Sequence, residues 1–182
     1  MIVFLGDSIT QWWDTEYFNH FFSVFNPVNM GIIGHTTKNT IELLNSTKLQ
    51  TMQADIVILM IGTNNSEHYT TIETVKDIQI ILRKITEIWP KSKIILVGPL
   101  PRGETRSDPK RVYNNEVNKL LSKETFTTNV FYINIGYMFI NDEGRIDRDI
   151  MYDGLHLTRL GYKILSNSLS GFLFILLGIS PS

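Results

Sequence analysis

The chain has 182 residues, the size of one domain and too short for two full-sized ones. Its 43% apolar and 19% charged residues describe a chain able to bury a core, which excludes an intrinsically disordered polypeptide. Seventeen Lys and Arg against eighteen Asp and Glu leave a net charge of -1, without the field that gathers nucleic acid or an anionic membrane, and zero Cys excludes disulfides, thiolate metal sites and a cysteine nucleophile.

Residues 2–5 are apolar and read as a first buried strand, closed by Gly6-Asp7. No basic region precedes them and the run is too short for a signal-peptide core, so a cytoplasmic chain is expected. Residues 28–30, 56–61, 94–97 and 130–133 are further short runs rich in β-branched or aromatic residues, and they read as four more buried strands. Between them, residues 72–89 carry Ile78, Ile81, Leu82, Ile85 and Ile88 at helical spacing, and Trp89-Pro90 stops the pattern. Pro109 opens a second helix with Val112, Val117, Leu120 and Leu121 as its apolar positions. A last helix is expected from Thr158 to about Leu177.

The run 172–177 is far below the ~20 residues of a membrane span, so no integral membrane segment is expected. It reads as the buried face of the last helix, with a homodimer interface as the other reading. The polar loop 99–111 reads as a solvated connection rather than a substrate-facing one. Strand and helix thus alternate throughout, which predicts an α/β fold with a five-stranded parallel sheet covered by helices on both faces. In such sheets ligands gather beyond the carboxyl ends of the strands, so the residues after each strand are the ones to inspect.

After the first strand, Gly6-Asp7-Ser8-Ile9-Thr10 places a hydroxyl at a strand-to-helix turn, where helix capping is the plainer reading. After the second, Gly34 in Gly31-Ile32-Ile33-Gly34-His35 can leave a backbone N–H free to donate; no Gly-Lys-Ser/Thr follows, so a phosphate-cradling loop is a poor rival. After the third, Gly62-Thr63-Asn64-Asn65 supplies an uncharged amide donor or simply a turn. Before the last helix, Asp153 stands three residues from His156, a spacing that lets a carboxylate hold Nδ1–H and leave Nε2 for a serine proton. His20, His35 and His68 are scattered without paired ligand spacing, so neither a metal nor any other cofactor is expected.

In this order the GDSIT string, the Gly34 loop, GTNN and DGLH resemble the four blocks of the SGNH, or GDSL-type, serine hydrolases, across residues 4–162. The strings NMGIIGHTT, GPLPRGE, NNEVNKLL and MYDGLHLTRLGY are similar to the platelet-activating-factor acetylhydrolase-like branch of that superfamily. The resemblance implies one flavodoxin-like three-layer α/β/α domain over residues 1–182. It implies Ser8 as nucleophile, His156 as general base and Asp153 as its orienter. It also implies an oxyanion hole formed by the Ser8 and Gly34 N–H groups and the Asn64 side-chain amide. His35 departs from the branch, whose eukaryotic members have an aspartate after the oxyanion glycine.

The expected activity is that of a metal-independent serine esterase acting on a small-molecule acyl ester. It would remove a short acyl group, acetyl first, from an alcohol oxygen of a carbohydrate or sialic acid. A lysophospholipase or thioesterase, and a binding protein that kept the fold without turnover, are the alternatives. Trp12 and Trp13 follow Ser8 by one helical turn; either could wall an acyl pocket or pack into the core. His35 and His68 read as loop residues, and Lys38, Arg102 and Arg159 as candidates to meet an anionic leaving group.

Overall fold

The computed structural model describes residues 1–178. Five strands, β1 (Ile2–Gly6), β2 (Pro27–Gly31), β3 (Ile56–Met60), β4 (Lys93–Val97) and β5 (Val130–Ile133), form one all-parallel sheet in the order 2-1-3-4-5. Every residue of the central strands β1 and β3 is buried, which is why they read in the sequence as unbroken apolar runs rather than alternating ones.

Alternate side chains of these strands feed two separate cores. Ile2, Phe4, Ile56, Ile58, Ile95 and Val97 point to a layer formed by α1 (Ser8–Gln11), α2 (Thr15–Phe22) and α7 (Arg159–Leu177). Val3, Leu5, Val57, Leu59, Ile94 and Leu96 point to the opposite layer, where α3 (Thr37–Leu44), α4 (Thr47–Gln50), α5 (Thr71–Ile88) and α6 (Pro109–Leu121) lie. The result is the expected α/β/α arrangement, and the strand order is that of flavodoxin-like folds, whose switch point falls between β1 and β3. The Ser8 turn leaves β1 and the Asn64 turn leaves β3 at this point.

The three helices expected from periodicity form where their caps predict. Thr70 and Glu73 make a reciprocal capping box at the start of α5, Asp108 caps α6 ahead of Pro109, and Thr158 caps α7. The single-turn helices α1 and α4 are too short to show a period, and the two eight-residue helices α2 and α3 have no strong periodic signal either. In α3 the buried face is partly threonine, since Thr37 and Thr40 are buried beside Leu44, and polar core positions hide the period. In α2 the buried face is only Phe18 and Phe22, over barely two turns.

By length and apolar content α7 would suffice to cross a bilayer, but Tyr162, Leu165, Leu169 and Leu173 along it are buried against the sheet. Two glycines let the site assemble. A Cβ on Gly6 would strike the Met60 carbonyl at 2.6 Å, and one on Gly31 would run into the backbone of Thr10 at 2.7 Å, so the end of β1 can lie close to β3 and α1 close to β2.

Candidate active site

Ser8 is the first residue of α1, immediately after β1, so its N–H precedes the helix's own hydrogen-bond ladder. The Asp7 carboxylate caps that helix by accepting from the Ile9 N–H at 2.9 Å. Asp7 is only 1% exposed, and burial pushes its carboxyl up to about 6 despite the opposing pull of that N–H, His156 and Arg102. No local pattern marks this perturbed group, because its burial depends on packing at the switch point.

The Ser8 Oγ lies 2.9 Å from His156 Nε2, and His156 Nδ1 lies 2.6 Å from Asp153 Oδ2. The other Asp153 oxygen accepts from the backbone N–H groups of Leu155 at 3.0 Å and His156 at 2.7 Å. Burial tends to raise the Asp153 pKa, but these N–H donors and the imidazole outweigh it and hold the carboxyl below the usual range. Asp153 is therefore an ionised partner that fixes both the turn and the ring. A hydroxyl joined in this way to an imidazole, itself held by a carboxylate, can be deprotonated as it attacks an electrophilic carbon.

Gly34 and Asn64 come to the same end of the sheet. Gly34 adopts φ +74°, a left-handed conformation that favours glycine, and its N–H has no partner among the described residues. A Cβ there would meet nothing within 4 Å, so the requirement is conformational rather than steric. Asn64 Nδ2 donates to the His35 carbonyl at 3.0 Å, which turns the amide nitrogen toward the Gly34 loop and leaves its second hydrogen without a partner among the described residues. An oxygen bearing negative charge near Ser8 would find the donors it needs in these free N–H groups.

Asn65, the next residue, points inward. It is fully buried, accepts from the Thr37 N–H at 3.0 Å, and donates to Thr37 Oγ1 at 2.6 Å and Thr74 Oγ1 at 2.8 Å. Thr37 Oγ1 in turn donates to the buried Asp77 at 2.8 Å. This network clamps the Gly34 loop to the Asn64 turn, and periodicity could not reveal it because it joins three separate stretches of chain.

The loop 99–111 is not the solvated connection that its polarity suggests. Gly103 N–H donates to the Gly154 carbonyl at 2.8 Å, bracing the turn that carries Asp153 and His156. Arg111 is 2% exposed, and its guanidinium is occupied by backbone carbonyls: Arg102 and Gly144 at 2.9 Å each, and Gly103. Asn114 ties the same loop to the Asn64 turn by donating to Leu100 O at 2.8 Å and Thr63 Oγ1 at 3.0 Å.

The structure also separates residues that the sequence left equivalent. Trp13 packs among Phe4, Phe18 and Phe22 and donates to Ser166 Oγ at 2.9 Å, so it belongs to the core. Trp12 is 43% exposed, with its ring centroid 4.6 Å from that of His156. Lys38 is paired with Asp77 and Arg159 with Glu16, whereas Arg102 borders a cleft of about 430 Å³ beside His156 that Asp108, Lys110 and Leu155 also line. His20 stacks edge-on against Phe21, His68 lies near Tyr69, and neither joins the site. Among the described residues no three His, Asp or Glu side chains converge as metal ligands would.

The profile of the GDSL-like lipase/acylhydrolase family matches residues 4–164. The alpha2 subunit of platelet-activating factor acetylhydrolase IB from Rattus norvegicus is 34% identical over 182 residues, covering 99% of this chain and 79% of its own length. In structure, the chain is similar to an acetyl-xylooligosaccharide esterase from Geobacillus, with a TM-score of 0.75 at 19% identity over 92% of this chain and 91% of that one. It is also similar to a carbohydrate acetylesterase from Sinorhizobium meliloti, with a TM-score of 0.69 at 17% identity over 96% and 98%.

Proposed function

The chain belongs to the GDSL-like lipase/acylhydrolase family and is a carboxylic-ester hydrolase; we propose that it is a metal-independent serine esterase that removes acetyl and similarly short acyl groups from carbohydrate hydroxyls, sialic acids included. The observation that carries the reading is the unbroken chain from Ser8 Oγ through His156 to Asp153, at 2.9 and 2.6 Å.

In this reading Ser8 Oγ attacks the ester carbonyl while His156 Nε2 takes its proton. Asp153 holds Nδ1–H and stabilises the imidazolium that forms. The carbonyl oxygen, now negative, is received by the N–H groups of Ser8 and Gly34 and the free amide hydrogen of Asn64. The imidazolium gives its proton to the departing alcohol. Water, deprotonated by the same imidazole, then attacks the acyl-enzyme and releases the acid and Ser8.

The substrate class rests on the surroundings of His156. The cleft beside it is lined by Arg102, Asp108 and Lys110, groups that suit a polyhydroxylated alcohol better than an alkyl tail. Two large apolar-lined cavities lie elsewhere, one between α5 and β5 near Leu82 and Phe126 and one near Ile2 and Phe25, both at the amino ends of the strands. A long acyl chain bound in either would be far from Ser8. Two esterases that share the fold act on acetylated saccharides by their names.

The test is a side-by-side assay of p-nitrophenyl acetate, acetylated sugars and lysophospholipids, with and without a chelator, in the wild type and Ser8→Ala. Acetyl ester hydrolysis that survives the chelator and vanishes in Ser8→Ala is expected. Activity that the chelator removes and zinc restores would overturn the mechanism, and a preference for lysophospholipids would overturn the substrate class.

A further inference from the structure

His156 Nε2 must pass its proton to the alcohol oxygen of the ester, so the alcohol part departs along the imidazole and meets whatever borders that ring. Two exposed aromatic rings stand there. Trp12 lies 4.6 Å from the His156 ring, tilted by 48°, and Tyr152 lies 6.0 Å away and nearly parallel at 22°. They are 43% and 53% exposed. The Trp12 indole N–H has no partner among the described residues, whereas the neighbouring Trp13 is both buried and hydrogen-bonded. Trp12 thus offers an aromatic face and a donor to solvent at the one place where a leaving alcohol must pass.

His156, against which both rings lie, also lines the cleft with Arg102 and Lys110, so an aromatic face and a charged rim meet at this residue. That combination fits a pyranose, which has a C–H face and a rim of hydroxyls, and it fits neither a bare alkyl alcohol nor a small polar one. We propose that Trp12 is the specificity-determining platform on which the sugar ring of an acetylated saccharide rests while its acetyl group is transferred to Ser8. The inference builds on the carbohydrate esterase reading above.

The test compares an acetylated methyl xyloside with ethyl acetate, two esters with one acyl group and different alcohols, in the wild type, Trp12→Leu and Trp12→Phe. The readout is the ratio of their kcat/KM values, which cancels any common effect on His156. Trp12→Leu should lower this ratio about five- to tenfold, mainly by raising KM for the xyloside, and Trp12→Phe should recover most of it because a ring face returns. An unchanged ratio in Trp12→Leu, with the wild type still preferring the xyloside, overturns the platform and leaves the carbohydrate reading standing. A wild type that hydrolyses ethyl acetate but no acetylated sugar overturns both.

Discussion

Asn65 and Thr37 exchange two hydrogen bonds, the Thr37 N–H donating to Asn65 Oδ1 at 3.0 Å and the Asn65 amide donating to Thr37 Oγ1 at 2.6 Å, and both residues are fully buried. The pair joins the loop that carries Gly34 to the turn that carries Asn64, so the spacing of two proposed oxyanion donors is set by residues that never meet substrate.

Neighbouring asparagines should therefore fail in different ways. Asn64→Ala should lower kcat by roughly 10²–10³ with little change in KM and in melting temperature, because its amide is proposed to act on charge that develops only in the transition state. Asn65→Ala strands buried partners on Thr37 and Thr74 and should cost about 2–4 kcal/mol of stability. Kinetics and thermal denaturation of both variants decide it. A silent Asn64→Ala in a folded protein would remove this amide from the oxyanion hole.

The rate should fall on the acid side as His156 takes a proton, since a charged imidazole cannot accept the Ser8 proton. Asp153, held below the usual carboxylate range, stays ionised throughout that limb. Asp7 ionises near pH 6 and could imitate the effect. The profile of kcat/KM is therefore measured in Asp7→Asn as well: a limb that persists belongs to His156, and one that disappears belongs to Asp7.

Asp7 also makes a prediction about stability. Its carboxyl ionises at about 6 in the folded chain against 3.8 for the free group, so folding favours the protonated form. The stabilisation this gives is fully present below pH 3.8 and is lost as the pH rises through about 6, a change of ~3 kcal/mol. Urea denaturation at about pH 4 and about pH 7.5 should show Asp7→Asn gaining on the wild type by this order at the higher pH. A stability difference independent of pH would mean that Asp7 is not the buried, protonatable group described.

Acetyl and propionyl esters should be hydrolysed at least tenfold faster than octanoyl esters of the same alcohol. The apolar cavities that would hold a long acyl chain, near Leu82 and Phe25, lie at the other end of the sheet from Ser8. A series of p-nitrophenyl esters measures it, and an optimum at eight carbons would return the enzyme to the lipase class.

The five strands and the long helices α5, α6 and α7 were legible in the sequence because each buries its own periodic apolar face, and burial by period is a local property. The turns holding Ser8, Gly34 and Asn64 were legible as well, since a parallel sheet sends the residues after its strands to one end, and Asp153-His156 was legible by its spacing ahead of the last helix. Their meeting was not. That Ser8 Oγ reaches His156 Nε2, 148 positions along the chain, depends on α7 packing against the same face of β1 as α1. Tertiary structure alone put Trp12 beside His156 and Trp13 in the core, although they are adjacent in sequence, because which way each ring turns is decided by Phe4, Phe18 and Phe22. It alone turned loop 99–111 into a brace, because the carbonyls that satisfy buried Arg111 come from Arg102, Gly103 and Gly144, and no local pattern predicts hydrogen bonds between segments that only the folded chain brings together.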